Sequence, residues 1–548
     1  MSLQPRTAFE IPEETQRVAR AAFPQSTLCL RIADALGPVY GDEQFADLFP
    51  RRGQPAEAPG RLAWITVLQF VENLSDRAAA DAVRGRLDWK YLLGLELTDP
   101  GFHHTVLSEF RSRLVAGQAE QQLLDRLLEQ LQAQGLLQAG GRQRTDSTHI
   151  LAAVRDLNRL ERVGETLRAA LNSVAVVAPD WLQRLAPPEW YERYGRRVEN
   201  YSLPKTDAAR QALAATIGCD GQRLLEAIDI ADEHRWLEKV PAVQTLRRVW
   251  AEQYIEREGT LVWRPVKDRP APAVLIASPY DPDARYSTKR GVEWVGYKVH
   301  LTETCDPDTP HLIVNVETTP ATTPDDNRIA VIHASLAQRN QLPAVHLADK
   351  GYTSAQVLLD SQRDYQVAIV GPVADDPSWQ ARAGEGFAKA DFRIDWDRQV
   401  VTCPAGQQSG SWLPKTTVPG VVVEARFSAK DCTPCSYRAR CTRSKKEPRI
   451  IGLQPRDQYE ALQTTREVQT AGAFRQQYAA RAGVESTHEQ AIRRCGLRQC
   501  RYIGLAKTHL QHLVTAVAIN LIRVGEWLAG TPTAPTRCSR FAALQGAA

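Results

Sequence analysis

No stretch of the chain approaches the roughly 18 to 20 consecutive apolar residues that a bilayer-spanning helix requires. Its opening, MSLQPRTAFEIPEE, lacks the basic start and apolar core of a secretory signal. A membrane or secreted protein is therefore not expected. Hydrophobic content of 43% beside 24% charged residues is that of a globular protein. Cysteine is scarce, with ten residues in 548, and four of the ten lie between positions 403 and 441. That usage argues against a disulfide framework and fits metal binding in a reducing, cytoplasmic compartment.

A large net charge is also lacking, since the total is only +4, but the balance is uneven. Residues 1–140 carry 14 Lys/Arg against 18 Asp/Glu, and residues 141–400 carry 33 against 37. Residues 401–548 carry 21 against 9, a net charge of +12. An electropositive region of that size fits a polyanion such as nucleic acid. A basic, solvated tail is the alternative. The arginines gather around Glu485 rather than in a disordered run, which favours the nucleic-acid reading.

A chain of this length should hold two to four domains. Residues 1–136 read as a helical N-terminal domain, broken at LGPVYGDEQ, that serves DNA binding or dimerisation. Residues 141–371 read as the first part of an α/β core, with a helical insertion over about 155–260 and a Pro-rich connector before the strands VGYKVHLTE and HLIVNVETT. Residues 372–470 read as a small β-rich insertion bearing cysteines. Residues 471–530 return to helix and carry Glu485, and 531–548 form a tail.

Three acids stand out. Asp146 in RTDSTHI and Asp349 in AVHLADKGYTS sit at strand ends, and Glu485 lies in YAARAGVE. Steps of three and four put Tyr478, Arg481 and Glu485 on one stripe of a single helix. Any one of these acids alone reads as a solvated surface group. Together they match what phosphodiester cleavage needs, hard oxygen ligands for two divalent cations about 3.5 to 4 Å apart. Arg475, Arg481, Arg493 and Arg494, then Arg498 and Arg501, supply basic neighbours for a nucleic-acid backbone. His149 and His488 flank the acids, where packing or capping competes with an assisting role.

Cys403, Cys432, Cys435 and Cys441 are spaced C-x28-C-x2-C-x5-C. Four thiolates complete a tetrahedral structural zinc site; four free thiols in a hairpin module are the alternative. No thioredoxin-like βαβ pattern surrounds the CxxC, which argues against redox activity.

These pieces resemble the insertion-sequence transposases of the DDE class. The resemblance is carried by TDSTHI, LADKGYTS and YAARAGVESTHEQAIRRCGLRQC, in that order, and extends from about residue 40 to 527. The third-acid signature of one group in that class is Tyr, two residues, Arg, three residues, Glu, six residues, then Lys or Arg. Tyr478, Arg481 and Glu485 match it, but the last position holds Ile492, with Arg493 and Arg494 just beyond.

The resemblance implies an RNase H-like α/β catalytic core, an all-α N-terminal domain and a zinc-binding insertion. It implies two Mg²⁺ (or Mn²⁺) per active site on Asp146, Asp349 and Glu485. Tyr478, Arg481, Arg493, Arg494 and Arg498 would then contact DNA. The partners implied are double-stranded transposon ends and target DNA, with a homodimer on paired ends. A metal-dependent nuclease without joining activity would carry the same acids. A catalytically silent DNA-binding regulator would be expected to lose one, and all three are present.

Overall fold

Residues 142–151, RQRTDSTHIL, are mostly polar, yet none is exposed, and buried polar groups among them find partners on neighbouring strands, as Thr145 does with Thr302 and His346. They form β1 (Arg142–Leu151), the middle of a six-stranded sheet completed by β2 (Arg285–Lys289), β3 (Val292–Thr304), β4 (Ile313–Pro320), β5 (Val345–Ala348) and β6 (Ala368–Val370). The structure is a computed structural model describing residues 2–531, apart from positions 4, 6–8, 290, 385, 418 and 419. Of the expected tail, everything past residue 531 lies outside the described residues.

The main ladder runs β4–β3–β1–β5–β6, and β2 pairs with the first part of β3. β3 is antiparallel to both β1 and β4, while β5 and β6 run parallel to β1. Two pairings matter for the site. Arg144 stands opposite Glu303 across β1 and β3. Thr145 stands opposite Ala348 across β1 and β5, the last pair of that parallel ladder.

The Leu505–Leu528 helix is buried along nearly all of its length and lies against β4. A helix apolar on all sides must be covered on all sides. The helices Leu28–Leu36, Pro59–Val71, Thr105–Ala116 and Gln122–Ala133 cover the remainder, so the N-terminal helices and the sheet share one hydrophobic core. The mixed α/β architecture thus has its helical N-terminal region packed onto the sheet layer through one central helix. None of the helices among the described residues is long and apolar enough to cross a membrane.

Two further units have cores of their own. Helices Arg159–Val177, Asp207–Ile230 and Pro241–Gln253 pack around Leu167, Leu224, Leu246 and Trp250. Helix was expected as far as about residue 260, but the chain turns into a hairpin of Tyr254–Arg257 and Thr260–Trp263. Tyr254 explains the switch: its ring packs on Trp250 and Trp263 and its hydroxyl donates to the Ala214 carbonyl. The second unit gathers Phe392, Val401, Phe427, Ile451 and Leu453 between the hairpin Arg393–Asp395/Val400–Thr402 and the three strands Ser411–Thr417, Gly420–Arg426 and Ile450–Leu453.

Candidate active site

Asp146 and Asp349 are each the first residue beyond the Thr145–Ala348 pair, so the parallel register of β1 and β5 sets them side by side where the strands part. Asp349 follows the carboxyl end of β5, where ligand sites in open α/β sheets sit. Asp146, expected at a strand end, instead lies within β1, which runs on to Leu151 because β3 keeps pairing with it. Asp146 Oδ1 accepts from the Ser147 N–H at 2.8 Å. Asp349 Oδ1 accepts from the Gly351 N–H at 2.8 Å, closing a tight turn after β5.

The third acid arrives from a broken helix. A single stripe from Tyr478 to Glu485 was expected, but Gly472–Ala479 and Gly483–Cys495 are separate α-helices joined by a 3₁₀ turn over Ala480–Ala482. The cause lies across the molecule. The Ala480 carbonyl accepts from Arg144 Nη1 of β1, and a Cβ at Gly483 would overlap that guanidinium. Even so, Arg481 and Glu485 remain one turn apart in contact, with Arg481 Nη1 donating to Glu485 Oε1 at 2.9 Å. The same guanidinium reaches Asp146 Oδ2 at 2.5 Å and Asp349 Oδ2 at 3.8 Å. All three acids therefore converge on Arg481.

Tyr478 is partly buried and stacks on Phe474 at 5.6 Å. Burial raises its phenol, and the carboxylates of Asp349, Asp146 and Glu485 add to the effect against Arg481. Arg493 is exposed and pairs with Glu489 at 2.5 Å; Arg494 is also exposed. Arg498 differs from expectation, because its guanidinium donates to Thr148 Oγ1 and the His149 carbonyl and holds the end of β1. Ile492, at the signature position expected to be basic, packs its side chain against the core. His149 packs against Trp294 at 5.2 Å with the rings tilted, and His488 Nε2 lies 3.3 Å from the Asp146 carbonyl oxygen. Burial lowers His488 to about 4, so it is neutral at pH 7.

Burial pushes the Asp146 carboxyl up to about 6, with the nearby Asp349 adding, against the opposing pull of Arg481, the Ser147 N–H and Lys289. A folded-state value above the ordinary 3.8 means that the metal-free folded protein holds this proton more tightly than the unfolded chain does. The resulting stability is complete below about pH 4 and is lost as pH rises through about 6, by about 3 kcal/mol for a shift of this size. Asp146→Asn is expected to remove that pH dependence. Urea unfolding of both proteins in chelator at pH 4 and pH 7 measures it.

Sequence reasoning missed several neighbours of the acids. Lys298 of β3 donates to Asp325 Oδ1 at 2.8 Å, and Asp325 Oδ2 accepts from Ser147 Oγ at 3.1 Å, next to Asp146. Glu303 and Arg144 brace the helix that bears Glu485. The run TPDDN and the strand-end acid in HLTET gave no spacing signal, because their partners come from distant segments.

Three carboxylates are a hard-oxygen donor set suited to Mg²⁺ or Mn²⁺. As placed, their shared cation is Arg481. Among the described residues, no group of three or more His, Cys, Asp or Glu side chains converges closely enough to hold a metal ion. The four cysteines Cys403, Cys432, Cys435 and Cys441 do line one cavity of about 30 Å³, and Cys441 is raised by burial and by the other three thiols, against Arg449. Their donor chemistry suits zinc. Arginines pack on the aromatic rings around that module, with Arg440 over Phe387 at 4.4 Å and Arg443 over Trp379 at 4.5 Å.

Two family models match the chain. Transposase DDE domain matches residues 402–525, a span that holds the four cysteines and Glu485 but neither Asp146 nor Asp349. Transposase domain (DUF772) matches residues 17–113, within the N-terminal helices. No curated protein matches the chain. These two matches, one toward each end of its length, indicate an insertion-sequence transposase of the DDE class.

Proposed function

We propose that this transposase cuts DNA at the ends of its element and joins the freed ends to target DNA, using Asp146, Asp349 and Glu485 to hold two divalent cations, Mg²⁺ or Mn²⁺. The observation that carries the reading is the convergence of these three acids, from β1, from the turn after β5 and from a helix, on the Arg481 guanidinium. Three carboxylates around one positive group form a site built for positive charge. The strand order β4–β3–β1–β5–β6 with one antiparallel partner for β1 supports an RNase H-like core.

Bound cations would supply an activated water and a charge partner for the leaving oxygen. Hydrolysis breaks a P–O3′ bond and leaves a 3′-hydroxyl; that oxygen then attacks a target phosphorus and releases a target 3′-hydroxyl. Arg481 is the chain's own phosphate partner at this point, since its planar donors match a phosphate as well as a carboxylate. Tyr478 lines the same space. Arg493 and Arg494, both turned outward, extend the basic track for the backbone, and Arg498 anchors β1 while keeping its charge beside it. The cysteine module is proposed to bind one structural zinc through Cys403, Cys432, Cys435 and Cys441. A homodimer on paired ends would place two such sites on two cuts.

The test is incubation of purified protein with Mg²⁺ and DNA carrying the sequences that flank its gene, scoring nicks and joined products. Joined products are expected. Cuts without joining would reduce the protein to a nuclease, and binding without cuts would make it a silent DNA-binding descendant.

A further inference from the structure

Behind the three acids lies a second charged cluster that the proposed chemistry does not use. Glu303 of β3 is 0% exposed. Its Oε1 accepts from Arg144 Nε at 2.7 Å, and its Oε2 accepts from Thr487 Oγ1 at 2.7 Å and Arg523 Nη1 at 2.6 Å. Arg523 also donates to Thr487 Oγ1 at 2.6 Å and to Gln490 Oε1 at 3.0 Å. Arg144 carries the link onward to the Ala480 carbonyl and to His311. Burial would raise Glu303, but Arg523 and Arg144 outweigh it and hold the carboxyl below its usual range, so it stays ionised.

The placement of these partners is selective. Arg144 precedes Asp146 by two residues on β1 and so points from the same face. Ala480 directly precedes Arg481, and Thr487 follows Glu485 by two residues. Gly483 is the opening through which Arg144 reaches the broken helix. One buried carboxylate thus grips the strand of the first acid and the helix of the third.

Burying such a cluster is costly, and well-packed apolar side chains of the same volume are often as stable or more so. Fixing one arrangement among several is the best-attested use of buried ion pairs. A helix's side-chain tips lie about 5 to 6 Å from its axis, so a rotation of about 10° would move the Glu485 carboxylate by about 1 Å. Misplacement on that scale can cost about a hundredfold in rate.

We infer that Glu303 is a positioning residue of the active site, setting the rotation of the Gly483–Cys495 helix so that Glu485 meets Asp146 and Asp349. The inference rests on the reading of those three acids as a metal site. Glu303→Gln keeps the shape but turns an N–H₂ toward donors on one side, so the grip loosens. Thr487→Val replaces one hydroxyl with a methyl, removing the donor to Glu303 and the acceptor for Arg523 while leaving Arg144 and Arg523 on the carboxylate.

Mn²⁺ binding to the full chain without DNA, measured by calorimetry well below the melting temperature, reads the effect apart from activity. Glu303→Gln is expected to weaken Mn²⁺ binding by about tenfold or more, as loss of outer-shell partners does elsewhere. Thr487→Val should weaken it less, in the same direction, and the Mg²⁺ concentration needed for cleavage should rise in parallel. A melting temperature that falls while both metal dependences stay at the wild-type value would show a merely structural role and overturn the inference. If Glu303→Gln does not fold, Thr487→Val decides alone: wild-type metal dependence there overturns the inference. A wild type whose Mn²⁺ binding is absent, or is untouched by Asp146→Asn, overturns the metal-site reading and this inference with it; normal wild-type binding with unchanged variants overturns the positioning role only.

Discussion

Alanine at Asp146, Asp349 or Glu485 is expected to lower strand cleavage by about a thousandfold or more, since divalent-metal catalysis supplies several kcal/mol and each 1.36 kcal/mol is tenfold in rate. DNA binding should persist, because affinity for a duplex rests on the basic side chains that neutralise its phosphates. The three substitutions differ in their side effects. Asp146 is partly shielded between Arg481 and the Ser147 N–H, so removing it leaves Arg481 with Glu485 and the more distant Asp349. Glu485 is 65% exposed, and its removal should leave stability nearly untouched. A cleavage assay on element-end DNA beside a gel-shift titration separates the two effects. Retention of cleavage by any one variant would strike that residue from the metal site.

Arg481 gives this expectation a second edge. A guanidinium that touches all three acids competes with any cation they bind, and binding a cation would free its donors for a DNA phosphate. Arg481→Ala should therefore lose cleavage for a different reason from the acids, through the substrate rather than the metal. It should also weaken DNA binding, which the acid variants should not.

How much of this was legible beforehand depends on the distance over which each feature is decided. Asp349 stands out because the short apolar run AVHLA ends at it, and that pattern is local. Asp146 follows the polar RQRT and lies inside a strand that runs on to Leu151. Their adjacency is set by the parallel pairing of Thr145 with Ala348, and a register between segments about 200 residues apart leaves no mark in either sequence. Tyr478, Arg481 and Glu485 announce a shared stripe by spacing. The break between their helices does not, because it is imposed by Arg144, 336 residues away from Ala480. Glu303 reads as an ordinary acid near the end of a strand. Only the fold brings Arg144, Thr487 and Arg523 around it. Ile492 shows the reverse case, where a mismatch to a signature has a packing reason: its side chain lies against the core, and the arginine falls one residue later on the exposed face.

If the cysteine module holds the proposed zinc, chelating it is expected to have the largest effect on stability. The module's own core is small, six buried side chains from Phe392 to Leu453. A core of that size supplies little on its own, and small units of this kind are commonly held by a metal. Cys403 follows the Val400–Thr402 strand, Cys432 ends a short helical turn after Ser428, and Cys441 ends another, so a metal on these thiols would tie together loops that few apolar contacts hold. Structural zinc in small domains contributes on the order of 10 kcal/mol or more of binding free energy, which is folding free energy when the unfolded chain has no site. Purified protein should therefore contain about one zinc per chain. Chelation, or Cys432→Ser with Cys435→Ser, should open residues 387–453 to protease while the Leu505–Leu528 helix and the sheet it covers stay protected, because their core is separate. Limited proteolysis with and without chelator, beside elemental analysis, reads both. Zinc-free protein with the same cleavage pattern would return the four cysteines to free thiols in a hairpin module.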